Sequence, residues 1–245
     1  MQAVTDRRPR AAGRVSRWIA ITLSPLLLSA CGQIDKWYYC GYGQKNAQDG
    51  HYEVALELLG KCLELESLSA EQRAFYLQSR AWSYFSLDDF DNALDDQQQS
   101  FRLVAPSTRD ELINYAAYLR MAGRVQQSLE PLREAEALDE RDGHSSMMTQ
   151  YNLGWSLYEL GRYDEAIAAF SRGIPSQPDY PFVYFRRGLA YDRIGRTDEA
   201  DADFIEFVSF FENEEVQFSE RFLDEMAEPA RKYPELEVLL KQAER

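Results

Sequence analysis

The residues that could do chemistry in this sequence are few and scattered. Histidine occurs twice, at His51 and His144, which lie far apart along the chain. A Cys-x-x-Cys pair, a His-Glu-x-x-His metal motif and a glycine-rich phosphate loop are all missing from the sequence. The sequence therefore predicts no enzyme, no catalytic site and no bound metal or other cofactor.

The densest group of carboxylates is a run of aspartates in the second quarter of the chain. Carboxylate oxygens are the ligands that Ca²⁺ prefers, but this run lacks the glycine and the terminal glutamate of a calcium loop. It coincides with a predicted helix start, where acidic side chains interact favourably with the helix dipole. We interpret it as a solvated helix start. Its members are Asp88, Asp89, Asp91, Asp95 and Asp96.

Composition and charge narrow the class of partner. The chain has 245 residues, of which 28% are charged and 45% hydrophobic, as in soluble globular or solenoid proteins. Its formal net charge is −14, although residues 1–30 carry five arginines and only one acid. The rest of the chain is therefore strongly acidic, and it should repel nucleic acid and anionic lipid headgroups. The acidity either favours partners with basic segments or serves solubility alone.

Residues 147–214 contain one unit of 34 residues twice in succession. A fixed period of this length is typical of helix–turn–helix units, which bury their apolar faces by stacking on their neighbours. The acidic-acidic-alanine step at Asp164 recurs at Asp198 in the same phase. The other recurring pairs are Gly154 and Gly188, Gly161 and Gly195, Ala166 and Ala200, and Phe170 and Phe204.

These residues, together with Leu153, Leu157, Tyr163 and Pro178, resemble the signature of the tetratricopeptide repeat (TPR) family. Small residues stand where two helices touch, a glycine stands at the turn, and a proline ends the second helix. The resemblance implies an all-α fold: a TPR-type α-solenoid with a concave groove that binds a protein or peptide.

The repeated pair serves as a template for the rest of the chain. Asp88 takes the place of Gly161 in an earlier unit, and two helix starts carry the Ser/Thr-x-x-Glu/Gln pattern of a capping box, at Ser69 and Thr108. A C-terminal pair of capping helices is expected in residues 215–245, at Phe218–Arg231 and Pro234–Ala243. The solenoid as a whole is predicted at 36–214, in five units: 36–69, 74–107, 109–142, 147–180 and 181–214.

The amino-terminal segment predicts export. Arginines precede a short apolar run, Trp18–Leu28, which is followed by small residues, and the run is too short to span a bilayer comfortably. Leu28-Ser29-Ala30-Cys31 resembles a bacterial lipobox; the alternative is an ordinary signal peptide with a chance cysteine. The resemblance implies a signal peptide over residues 1–30, acyl chains such as palmitate on Cys31, and a lipidated linker at 31–35. Because Gly32 rather than aspartate follows Cys31, it also implies the outer membrane, with the protein facing the periplasm.

Two cysteines then remain as a pair, Cys40 and Cys62, in an oxidising compartment. The two helices of the first unit place them at a similar height, which permits a disulfide. Alternatively their side chains face apart, with Cys40 on the concave side and Cys62 towards the neighbouring helix.

The first helices of the second, fourth and fifth units carry a second stripe besides their packing stripe. In the fourth unit this stripe holds Tyr151, Trp155 and Tyr158, and in TPR proteins that face lines the groove. The TPR resemblance also implies that Asn114 and Asn152, in phase in consecutive units, hydrogen-bond the backbone of an extended peptide. Alternatively, the rings pack between units or against the C-terminal helices. The predicted partner-binding residues are Trp82, Asn114, Tyr151, Asn152, Trp155, Tyr158, Phe185 and Arg186.

Together these features predict a lipid-anchored periplasmic adaptor that holds an apolar or basic partner segment in its groove. The alternative is a structural subunit of an outer-membrane assembly for secretion, pili or envelope biogenesis. Such a subunit would be engaged through its convex face or its C-terminal cap.

Overall fold

A computed structural model describes residues 34–143, 145–211 and 217–243, so Cys31 and the predicted signal peptide lie outside the described residues. The described parts contain α-helices and no β-strand, as the repeat predicted. No helix among these residues has both the length and the apolar character needed to cross a bilayer. The helices are α1 (Tyr42–Gln48), α2 (Tyr52–Leu63), α3 (Ala70–Ser86), α4 (Phe90–Leu103), α5 (Arg109–Met121), α6 (Val125–Arg141), α7 (Met147–Glu159), α8 (Tyr163–Gly173), α9 (Pro181–Arg193), α10 (Thr197–Ser209), α11 (Glu220–Ala230) and α12 (Pro234–Ala243).

Local sequence explains where several helices begin. Ser69 and Thr108 form complete capping boxes with Gln72 and Glu111, which confirms the predicted starts of α3 and α5. Asp89 caps α4 by accepting a hydrogen bond from the backbone N–H of Asn92 at 3.3 Å. The aspartate run therefore lies at the start of a helix, as the sequence predicted.

The turn between the two helices of a unit requires a left-handed residue. Gly161 and Gly195 have φ of 72° and 76°, a region that side chains with a Cβ rarely adopt. In the second unit Asp88 occupies the same place with φ of 59°. Aspartate tolerates this region better than most residues, because its short side chain hydrogen-bonds locally. The same turn is thus built without glycine.

In each of the two clearest repeats, the two helices pack together through a glycine and a phenylalanine. A Cβ added to Gly154 would lie 2.6 Å from the ring of Phe170, and one added to Gly188 would lie 2.8 Å from the ring of Phe204. Both rings are fully buried. Glycine is therefore needed at the point where the first helix of the unit meets the second.

The amino-terminal end of the solenoid is held covalently. A π-helical turn, Lys36–Gly41, leads directly into α1, and Cys40 within it forms a disulfide with Cys62 of α2. Both cysteines are completely buried, so the arrangement with side chains facing apart is not the one adopted. Closing a loop of 22 residues stabilises a chain by about 3 kcal/mol. The bond offsets the weakness of a short helix that contains glycine.

The C-terminal helices pack on the last unit. Tyr233, between α11 and α12, lies with its ring 4.6 Å from that of Phe204, and its hydroxyl donates to Asp192 at 2.6 Å. Met226 and Leu236 are fully buried in the same core. These helices cover the apolar surface that would otherwise be exposed at the end of the stack.

Candidate functional site

The concave face of the solenoid is built from the first helices of the units, α1, α3, α5, α7 and α9. The structure divides this face into two halves with different character. In the C-terminal half most of the predicted residues are buried by the chain itself. In the amino-terminal half aromatic and amide side chains remain exposed.

In the C-terminal half, four of the predicted partner-binding residues are buried: Tyr151, Asn152, Phe185 and Arg186. Phe185 has no exposed surface, and its ring lies 4.9 Å from that of Phe222 on α11. Phe222 also contacts Phe182 at 5.3 Å. The prediction that Phe185 faces a partner is therefore wrong, because α11 covers this part of the groove.

Asn152 and Tyr151 are engaged within the chain as well. The amide of Asn152 donates to the carbonyl of Met148 at 2.9 Å, one turn earlier in the same helix. The ring of Tyr151 packs edge-on against Tyr180 at 5.2 Å. Neither side chain presents its surface to the groove, so the expected grip of Asn152 on a peptide backbone is not available in this arrangement.

Trp155 lies at the centre of a stack that joins three units. The guanidinium of Arg120 lies 3.6 Å from the centre of its ring, and that of Arg186 lies 3.8 Å from the same centre. Arg186 also pairs with Glu225 of α11, and Arg120 lies 3.6 Å from Glu159. Two cation–π contacts to one indole therefore tie α5, α7 and α9 together, and Glu225 links these contacts to the cap.

Both stacked arginines are about 95% buried, which affects their charge. Burial lowers the pKa of Arg120 to about 10, and the nearby guanidiniums of Arg186 and Arg221 act in the same direction. Arg120 still carries its charge at neutral pH. A cavity of about 240 Å³ lies beside the stack, between Phe85 and Phe222. Its lining carries three arginines, Arg120, Arg186 and Arg221, against the two carboxylates Asp88 and Glu225.

Tyr158 is half-buried at the edge of the same half. Its hydroxyl accepts a hydrogen bond from Arg193 of the next unit at 3.2 Å, and its ring contacts Tyr163 at 5.4 Å. Tyr158 therefore joins neighbouring units, as the alternative interpretation of the aromatic stripe expected.

The amino-terminal half of the concave face is open. Trp82 and Phe75 on α3 are 43% and 44% exposed, and Trp82 stacks on Phe85 with ring centres 6.0 Å apart. They line a cleft of about 380 Å³ between α1 and α3. The other residues of the cleft are Gln44, Ala47, Gln48, Tyr52, Gln78 and Ser79. We refer to this cleft as the open groove.

The chemistry of the open groove is that of a peptide site. Its glutamine amides can donate and accept hydrogen bonds at once, and its indole and phenyl rings offer apolar contact area. Gln78 is already oriented, because its amide donates to Glu111 at 2.8 Å. Asn114 on α5 is exposed, unlike Asn152 in the next unit. Trp82 and Asn114 are thus the two predicted residues that are exposed, whereas Trp155 and Tyr158 are half-buried.

Within the parts of the chain that the structure describes, histidine, cysteine, aspartate and glutamate nowhere form a group of three that could hold a metal ion. The arrangement supports contact and recognition through shape, aromatic surface and amides.

The sequence-based prediction missed several residues that shape this face. Phe222 and Glu225, which close its C-terminal half, lie outside the repeats, and only the amphipathic pattern of the cap pointed to them. Arg120 was missed because it stands in phase with Tyr158, so the template assigned that place to an aromatic ring. The amides Gln44 and Gln48 were missed because the first unit matches the template poorly.

Comparisons with known proteins agree on the repeat. Residues 154–195 match a family model described as TPR repeat, and residues 183–213 match one described as tetratricopeptide repeat. No curated protein matches the sequence significantly.

Solved structures match over most of the chain. A crystal structure of MamA protein is 21% identical, with a TM-score of 0.60, covering 75% of this chain and 93% of its own. YrrB, described as a TPR protein with an unusual peptide-binding site, is 19% identical, with a TM-score of 0.56, covering 71% of this chain and 86% of its own. At this identity the likeness concerns the fold. The chain is therefore an α-solenoid of the TPR type, with tetratricopeptide repeats recognised by sequence within residues 154–213.

Proposed function

We propose that this protein is a periplasmic adaptor, anchored in the outer membrane by lipid on Cys31, that holds a partner segment in its open groove. The TPR fold is that of a scaffold for protein–protein interaction. The location of the site rests on the exposure of Trp82 and Phe75 beside a cleft lined by amides, whereas Tyr151, Phe185 and Arg186 in the C-terminal half of the concave face are buried. The partner segment is extended, with apolar side chains that fit against the two rings.

Two features support the export part of the proposal. Leu28-Ser29-Ala30-Cys31 has the lipobox pattern, and the buried Cys40–Cys62 disulfide suits an oxidising compartment. Two or more acyl chains anchor a protein stably where a single chain does not. The acidic chain, with a net charge of −14, favours basic residues in the flanks of the partner segment.

Replacing Trp82 with alanine should weaken partner binding by roughly 30-fold or more, because an exposed tryptophan in a binding cleft has the character of a hot spot worth about 2 kcal/mol. The partner is first captured by cross-linking in intact cells, and its affinity for purified protein is then measured by titration. Ile205→Ala is the matched control, since Ile205 is an apolar residue of the second helix of its unit and is 48% exposed. Equal affinity for wild type and Trp82→Ala would overturn the groove proposal.

Cys31→Ala should release the protein from the membrane fraction and remove the mass of the acyl chains. Fractionation of cells and mass spectrometry of the intact protein measure both effects. Gly32→Asp is the control: the lipobox resemblance predicts that it keeps the lipid and moves the protein to the inner membrane. A Cys31→Ala protein that stays in the membrane with the wild-type mass contradicts the anchor.

A second candidate function is a structural subunit of an outer-membrane assembly, engaged through the convex face or the cap. The observation that favours it is the filling of the C-terminal half of the groove by Phe222 of α11. Val238 on α12 is 56% exposed and belongs to the surface that this function requires. Loss of the captured partner in Val238→Lys, with retention in Trp82→Ala, supports this second candidate over the adaptor.

A further inference from the structure

The amino-terminal end of the described chain carries an unusual concentration of exposed apolar side chains. Ile34, Trp37, Tyr38 and Tyr42 are 63%, 66%, 48% and 43% exposed. The ring of Tyr42 lies 5.2 Å from that of Trp37 and 5.6 Å from that of Tyr38. We call these four residues the aromatic patch. Contiguous apolar surface of this kind marks a contact with something other than water.

The patch cannot turn inward, because the opposite side of the same helical segment is fixed in the core. Cys40 is bonded to Cys62, and Gly43 lies so close to Leu59 that an added Cβ would be 2.9 Å from its Cγ. With that side fixed, Trp37 and Tyr42 must project away from α2. Their exposure is therefore a consequence of how the segment is attached.

The position of the patch along the chain indicates what covers it. Trp37 follows Cys31 by six residues, and a fully extended chain of that length spans only about 20 Å. A lipid on Cys31 therefore keeps the patch at the membrane surface. Tryptophan and tyrosine are the side chains enriched at the membrane–water interface, where the ring is buried and its N–H or O–H group remains hydrated.

The charged residues around the aromatic patch are compatible with contact between the patch and a membrane surface. Lys36, on the same helical turn, is occupied by a hydrogen bond to Gln72 at 2.7 Å, and Asp35 beside it is exposed. The patch thus offers no free basic cluster for anionic lipids, and the acidic chain is repelled by them. Contact through rings, rather than through charge, suits a zwitterionic headgroup layer.

We infer that the aromatic patch inserts into the headgroup region of the membrane in which Cys31 is anchored, and so fixes the orientation of the solenoid on that surface. This inference rests on the lipid anchor of the proposed function. The open groove lies on the next turns of the same segment, at Gln44 and Gln48, so its orientation is fixed with it.

The test is quenching of tryptophan fluorescence by brominated lipid. Protein purified from membranes is reconstituted into phosphatidylcholine vesicles that carry bromine near the headgroup end of the acyl chain, and its emission is compared with that in unbrominated vesicles. We expect a loss of emission in the wild type that disappears in Trp37→Phe and persists in the control Trp82→Phe. Equal quenching in wild type and Trp37→Phe overturns the inference. A protein of twice the monomer mass whose Trp37 is not quenched overturns it too, because a second copy of the chain then covers the patch.

Mass spectrometry of the same samples separates this inference from the anchor. An acylated protein whose Trp37 is not quenched disproves the role of the patch and leaves the anchor standing. A protein without acyl chains disproves the anchor, and quenching of its Trp37 by added brominated vesicles still supports the patch. If the protein carries no acyl chains and its Trp37 is not quenched, both the anchor and the role of the patch are overturned.

Discussion

Trp155→Ala is expected to lower the free energy of unfolding by about 3–5 kcal/mol, the usual range for removing a large aromatic side chain from a packed position. The indole contacts the guanidiniums of both Arg120 and Arg186, whose central carbons lie 3.6 and 3.8 Å from the ring centre. Its removal leaves two buried positive charges without the ring that both of them contact. Loss of a buried partner from a charged group is destabilising beyond the loss of contact area. The measurement is denaturant-induced unfolding followed by far-UV circular dichroism.

Trp82→Ala is the matched control for this experiment. Trp82 is also a tryptophan on the first helix of a unit, but 43% of its surface is exposed. Its replacement should change the free energy of unfolding by no more than about 0.5 kcal/mol. If the two variants are equally stable, the stack does not hold the units together. If partner binding is lost in Trp155→Ala but kept in Trp82→Ala, the loss reflects damage to the fold. Trp82 is therefore the residue with which to test binding.

Phe170→Ala should cost a similar amount, about 3–5 kcal/mol, through the cavity that it leaves in the fourth unit. The ring is fully buried and fills the space beside Gly154. Phe204→Ala provides a matched change at the same place in the fifth unit. Thermal and denaturant unfolding of both variants measures the effect, and a loss below about 1 kcal/mol in either is inconsistent with the packing described.

Gly154→Ala tests the same contact from the other side. The new methyl group would lie 2.6 Å from the ring of Phe170, and overpacking of this kind costs about 1–3 kcal/mol. In the double variant Gly154→Ala, Phe170→Leu the methyl group gains room. The combined loss should therefore be smaller than the sum of the two single losses, Gly154→Ala and Phe170→Leu. Strict additivity would show that the two residues do not share a contact.

The features that could be predicted from the sequence are those that depend on neighbours within one unit. The 34-residue phase located the turn and allowed Asp88 to be matched to Gly161, because the left-handed position needs only a residue that tolerates it. The capping boxes at Ser69 and Thr108 follow from contacts between residues three apart. The pairing of Gly154 with Phe170 is equally local, since both belong to one helical hairpin.

The candidate site was predicted less well, because its exposure depends on contacts between distant segments. The 34-residue repeat placed Phe185 on the concave face correctly. Nothing in the repeat indicates that Phe222, which lies outside it, covers Phe185. Arg120 and Trp155 stand at different places in their units, so a template of equivalent positions does not bring them together. Setting Cys31 aside leaves Cys40 and Cys62 as two remaining cysteines, but the sequence left their bonding open, because their relative orientation depends on a π-helical turn that no periodicity indicated.

The disulfide also determines how the molecule bears a load. If lipid holds Cys31 while a partner pulls on the open groove, tension enters the chain only a few residues before Cys40. From there it passes through the sulfur–sulfur bond into α2, so the short α1 is not peeled from its neighbour. The groove lies between α1 and α3, close to this covalent tie, and the stacked units beyond α4 stay outside the line of force. Under such a load, the disulfide would keep the solenoid from unwinding at its amino-terminal end.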